Sequence, residues 1–145
     1  MYKSILIATD GSELAGKAVE QGLALAKALS AKVTVTTVTE PWTMVAPGEI
    51  GMTIPIEEYE KGVGEHAAKI LQDAQARAKT VGAPCEILHV KDRYPADGIL
   101  DAAKSVGADL IVMASHGRRG IARMLIGSQA TRVVTHSTIP VLICR

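Results

Sequence analysis

Five short apolar runs, separated by stretches whose apolar residues recur every three or four positions, restrict this chain to very few architectures. The runs occupy residues 4–9, 32–39, 85–90, 109–114 and 141–144. Most are apolar nearly throughout instead of alternating, which is the pattern of strands covered on both faces. Between them, Leu14, Ala18, Gly22, Leu25, Ala26 and Leu29 share one helical face. Val63, Ala67, Ile70, Leu71, Ala74, Ala78 and Val81 define a second such face, and Ala96, Ile99, Leu100, Ala103 and Val106 a third. A short last helix is expected from about 128 to 136, burying Ala130, Val133 and Val134. Strand–helix alternation builds a parallel sheet with helices on both faces, and right-handed crossovers prune its topologies. The expectation is α/β: one doubly wound domain over 1–145, with a five-stranded parallel sheet of order 3-2-1-4-5. The runs at 5–8 and 110–114 look the most buried and take the centre.

Punctuation agrees with these elements. Ser12 followed by Glu13 is a helix start, supplying a hydroxyl for an orphan N–H and an acid in the first turn. Gly82 and Gly107 suit the left-handed position that closes a helix, and Pro84 follows the first as a stop. Pro95 fits a first helical turn, where its missing N–H costs nothing. One stretch breaks the rhythm. Residues 40–56 hold Pro41, Pro47 and Pro55 with Gly48 and Gly51, and read as a long loop without regular structure. Trp42, Met44, Val45, Ile50, Met52 and Ile54 argue that it is not freely disordered. It is either a lid or a segment folded back over a sheet edge.

Composition excludes several classes. With 48% apolar and 21% charged residues the chain is not intrinsically disordered. Its longest apolar run, 110–114, falls far short of the roughly 20 residues of a membrane span. The N-terminal run meets Asp10 too soon for a signal peptide, so a cytoplasmic location is expected. Aromatics make up 3%, too few for the stacking surfaces of single-stranded nucleic acid. Cys85 and Cys144 form neither a disulfide framework nor a zinc cluster and read as buried thiols. His66, His89, His116 and His136 lack metal-ligand spacing, so no protein-only metal cluster is expected. His136 suits the dipole at the end of the last helix.

The net charge of +1 hides an asymmetry. From Leu110 to Arg145 there is no acid but five arginines, whereas the first 109 residues carry a net −4. This is either a solvated basic face or a phosphate site.

In a doubly wound sheet, ligands bind beyond the carboxyl ends of the strands, where the strand order reverses. The chain puts Thr9-Asp10-Gly11-Ser12 at one lip of that crevice and Ser115-His116-Gly117-Arg118-Arg119-Gly120 at the other. Gly127, Ser128 and Gln129 open the last helix, whose unpaired N–H groups and partial positive charge suit a phosphate. Gly117 and Gly120 let the preceding loop curl inward, and Arg118, Arg119 and Arg123 add charge. Asp10 has three readings: a ribose acceptor, a partner of a phosphate-bridging magnesium ion, or the cap of a turn after Gly11. His116 is either a phosphate contact or a polar loop residue.

These residues resemble the universal stress protein family along the whole chain, from Ile5 through Asp10-Gly11-Ser12 to Pro140 and Cys144. That family's nucleotide pattern is G-x2-G-x9-G-[S/T]; here Ala114-Ser115-His116-Gly117 is followed, nine residues on, by Gly127-Ser128. The first glycine is Ala114, and alanine fits there if it keeps ordinary strand angles. The resemblance implies binding of an adenine nucleotide, usually ATP; Mg2+ at Asp10 stays one of that residue's three readings. Ala8, Thr9 and Asp10 would line its ribose and adenine side, and Val38 would offer backbone to the base. Ala114, His116, Gly117 and Arg118, with Gly127, Ser128, Gln129 and Ala130, would wrap ribose and phosphates. It also implies a homodimer through the C-terminal strand, 140–145, whose uncovered apolar edge invites pairing.

The resulting expectation is a dimeric, ATP-binding regulatory stress-response protein with no assembled hydrolytic machinery. The alternative is a dimeric interaction module that holds no nucleotide. An adenine-nucleotide alpha hydrolase would carry Ser-Gly-Gly-x-Asp-Ser after the first strand, where this chain has Thr9-Asp10-Gly11-Ser12-Glu13. A receiver domain would need a second acid beside Asp10.

Overall fold

The apolar runs become parallel strands because a helix between each and the next carries the chain back across the sheet. A computed structural model describes residues 1–45, 55–117 and 126–145. Its elements are β1 (Ser4–Ala8), α1 (Glu13–Leu29), β2 (Lys32–Val38), α2 (Trp42–Val45) and α3 (Ile56–Val81). They continue as β3 (Cys85–Val90), α4 (Pro95–Ser105), β4 (Leu110–Ala114), α5 (Ser128–His136) and β5 (Val141–Cys144). The sheet order is β3-β2-β1-β4-β5, all parallel, as the alternation predicts.

Alternate residues of each strand feed two separate cores. Ile5, Ile7, Val33, Val35, Leu110 and Val112 pack under α1 and α3. Leu6, Ala8, Ile111 and Met113 pack under α4 and α5. Small residues let the helices sit close: a Cβ on Gly98 of α4 would lie 2.6 Å from Val38 Cγ1. That contact fixes the carboxyl end of β2 against the first turns of α4.

The caps follow the sequence. Ser12 Oγ accepts from Ala15 N at 3.2 Å, and Gly82 closes α3 at φ +75°. Ser30 closes α1 in the same left-handed conformation at φ +53°, a role glycine usually fills. At the amino ends of the strands, Asp109 ties β4 to β1. Its carboxylate accepts from Lys3 N at 2.9 Å and Ser4 N at 3.0 Å. These bonds hold its carboxyl below the usual aspartate range.

Four expectations need correction. Residues 40–56 are not wholly irregular: Trp42–Val45 forms a helical turn, and α3 starts at Ile56 instead of near Val63. The rest of that stretch, 46–54, lies outside the described residues, as does its reading as a lid. Val134 is 49% exposed, not buried, because it points away from the sheet that Ala130 and Val133 contact. β3 is not covered on both faces; as an edge strand it leaves Glu86 and Ile87 exposed. The first, second and fourth strands are each one residue shorter than expected. Among the described residues no helix is long and apolar enough to cross a membrane.

Candidate functional site

The helix after β1 packs on one face of the sheet and the helix after β4 on the other, so a crevice opens where the two strands end. It encloses about 490 Å³, within the range of small-molecule sites. Ala8, Thr9, Asp10, Val38, Ala114, His116, Gly117, Gly127, Ser128, Gln129 and Ala130 all line it. Arg118, with Arg119, Gly120 and Arg123, lies outside the described residues.

The β1 lip is a chain of local hydrogen bonds. Thr9 N donates to Thr36 O at 2.9 Å, ending the β1–β2 ladder. Gly11, at φ +79°, turns the chain so that its N–H reaches Thr9 Oγ1 at 3.2 Å. Asp10 Oδ1 accepts from Ser12 N at 2.9 Å, so of its three readings the turn role is the one visible here. Asp10 Oδ2 would lie 2.7 Å from a Cβ on Gly117, so a side chain at 117 displaces the carboxylate.

The β4 lip is built around Ser115, which is buried. Its N–H donates to Cys144 O at 2.8 Å and its carbonyl accepts from Gly127 N at 2.7 Å. Gly127 has ordinary extended angles, φ −68° and ψ 162°. What demands glycine is space, since a Cβ would approach Ser115 O to 3.0 Å. The Gly127 amide therefore fastens the two segments together and is not a ligand donor. The amides of Ser128, Gln129 and Ala130 precede the first helical bond, Thr131 N to Gly127 O, and no acid sits in that turn.

Ala114 lies in regular strand pairing with Cys144, and its methyl belongs to the core beneath α1. His116 Nδ1 is 3.0 Å from Ser115 Oγ. Its Nε2 is buried and has no partner among the described residues.

The far wall was not foreseen. Thr36, Glu40, Pro95 and Ile99 join the lining, as do Ala15 and Met113. Alternate residues of a parallel strand address opposite neighbours. Thr36 O serves β1 and Thr39 N serves Val90 O of β3, so Val38 turns its N–H and C=O toward the β1 side. The β1 ladder has ended at Ala8 opposite Thr36, which leaves those two groups at the crevice. Gln129 holds a second surprise: its Oε1 accepts from Ala96 N at 3.1 Å, capping α4 from across the crevice. Both cysteines lie away from this wall, and burial pushes their thiols up.

Comparison with known proteins agrees with this geometry. Residues 1–145 match the family model described as Universal stress protein family. A universal stress protein of Thermus aquaticus is 36% identical over 145 residues, covering 100% of both chains. The structure of universal stress protein UspA from Lactobacillus plantarum shares the fold, with a TM-score of 0.85 at 24% identity over 99% of this chain and 98% of that one. A crystal structure of a universal stress protein in complex with cAMP has a TM-score of 0.72 at 29% identity, covering 99% and 97% of the two chains. With the match running from the first residue to the last, the chain belongs to the universal stress protein family.

Proposed function

We propose that the crevice binds an adenine nucleotide, ATP, and that the protein works as a homodimeric regulatory module. The observation that carries this reading is the Gly127 N–H to Ser115 carbonyl bond, which sets the amino end of α5 beside the turn leaving β4. Three helix amides with the dipole behind them then face the crevice as a phosphate site. At its other end Val38 supplies one donor and one acceptor, matching the N1 and N6 edge of adenine. Ile99 and Met113 give the base an apolar surface. Glycines at 117 and 127 let the backbone come up against Asp10 Oδ2 and the Ser115 carbonyl, which a Cβ would meet at 2.7 and 3.0 Å. A relative with cAMP bound supports the same ligand class. Ala114 is no obstacle, because its methyl packs into the core.

Asp10 is the carboxylate that would meet a magnesium ion carried with the phosphates; such an ion would offset their charge. The proposal concerns binding, not turnover.

The dimer forms through residues 140–145. β5 is a sheet edge, and Leu142 on it and Val134 on α5 are large apolar side chains exposed to 39% and 49%. A twofold pairing covers both copies at once. Leu142→Lys shifts the mass measured by light scattering toward the monomer; an unchanged mass removes β5 as the interface.

Denaturing freshly purified protein and chromatographing the supernatant tests the ligand, with titration of ATP into the emptied protein. Near-stoichiometric ATP, or saturable heat on titration, upholds the proposal. No nucleotide and no heat replaces it with the interaction module.

A further inference from the structure

Gln129 lines the crevice, yet its side-chain oxygen is engaged by another helix. That helix, α4, has no side-chain cap of its own: Tyr94 at the cap position supplies no bond, and Pro95 has no N–H to satisfy. The Ala96 amide is thus the first donor of the helix, and Ala96 is 1% exposed, so water cannot serve it. Leaving such a group unpaired is costly. Gln129 Oε1 meets it at 3.1 Å from 33 residues away. An N–H needs an acceptor, so this contact also assigns which branch of the carboxamide is oxygen.

The bond joins two walls with different tasks. Pro95 and Ile99 of α4 line the side where Val38 presents its backbone, and Ser128 and Ala130 belong to the amino end of α5. We infer that Gln129 is a positioning residue: its carboxamide clamps α4 to α5 and sets the spacing between the base wall and the phosphate cradle. This rests on the nucleotide reading of the crevice. The clamp acts on ligands that engage both ends at once. The second end then binds as an intramolecular event, with an advantage that depends on fixed geometry. A ligand that touches one end gains nothing from it.

The test compares Gln129→Met, which keeps length and removes the acceptor, with Gln129→Glu, which keeps an acceptor. Amide hydrogen exchange at Ala96 reads the clamp without any ligand. Met speeds that exchange and Glu restores it; an unchanged rate in the Met variant overturns the inference. Titration then uses ATP, adenosine and inorganic triphosphate on wild type and the Met variant. The expected result is an ATP affinity about tenfold lower, with adenosine and triphosphate each within about twofold. Equal losses for ATP and adenosine would mean that Gln129 shapes only the base wall, and overturn the clamp. Failure of wild type to bind ATP defeats the nucleotide reading, while the exchange measurement still judges the bond.

Discussion

Two aspartates stand at opposite ends of the same pair of strands, and the sheet treats them differently. Asp109, at the amino ends, gives both carboxylate oxygens to backbone amides of Lys3 and Ser4. Asp10, at the carboxyl ends, gives one oxygen to Ser12 N and holds the other where a side chain on Gly117 would have to go. One end of β1 and β4 is stitched shut; the other is held apart around a cavity. The lesson is that a carboxylate's role follows from its surroundings. At the closed end it lends stability, and at the open end it shapes a site.

The largest test of this contrast is Gly127→Val, which forces a side chain against the Ser115 carbonyl. ATP affinity falls at least a hundredfold, ~2.7 kcal/mol, while the circular-dichroism spectrum keeps its shape. Retained affinity would mean that the open end is not the phosphate site. Asp10→Asn is gentler, since the amide oxygen still serves Ser12 N. It weakens magnesium-ATP by about fivefold, ~1 kcal/mol, and tightens magnesium-free ATP, as loss of an ion partner near water should. Identical shifts for both forms would remove Asp10 from the ion's surroundings. Asp109→Asn does the reverse: the urea midpoint drops and the ATP titration stays within about twofold of wild type.

The smallest effect is in the pH dependence of that last variant. Asp109 has its folded carboxyl below the ordinary value, so its contribution is full above the unfolded value of about 3.9 and fades as pH falls through the lowered one. The stability gap between wild type and Asp109→Asn is therefore level above about pH 5 and closes in stronger acid. A gap that widens on acidification contradicts the assigned bonds.

The two ends also differed in how well the sequence announced them. Strand order, the caps at Ser12 and Gly82, Pro95 in the first turn of α4, and the joint lining by Asp10, Gly117 and Ser128 follow from local chemistry and periodicity. The start of α3 was hidden because Gly62 and Gly64 interrupt its pattern, and both face open space where nothing selects against them. The α2 turn was masked by neighbouring prolines. Thr36, Pro95 and Ile99 came to the crevice from elements that no spacing rule connects to it. The Gln129 cap was invisible for the same reason: its partner is fixed by how α4 packs on α5, not by sequence distance. Ser30 escaped because a serine in a left-handed turn leaves no composition signal.

Ser115 donates its backbone N–H to Cys144 and accepts at its carbonyl from Gly127, so β5, the turn after β4 and α5 share a single splice. Trimming the chain back past Cys144 would therefore do more than shorten an edge. It would strip the outer anchor from the residue that seats α5, and the damage would surface some distance from the cut.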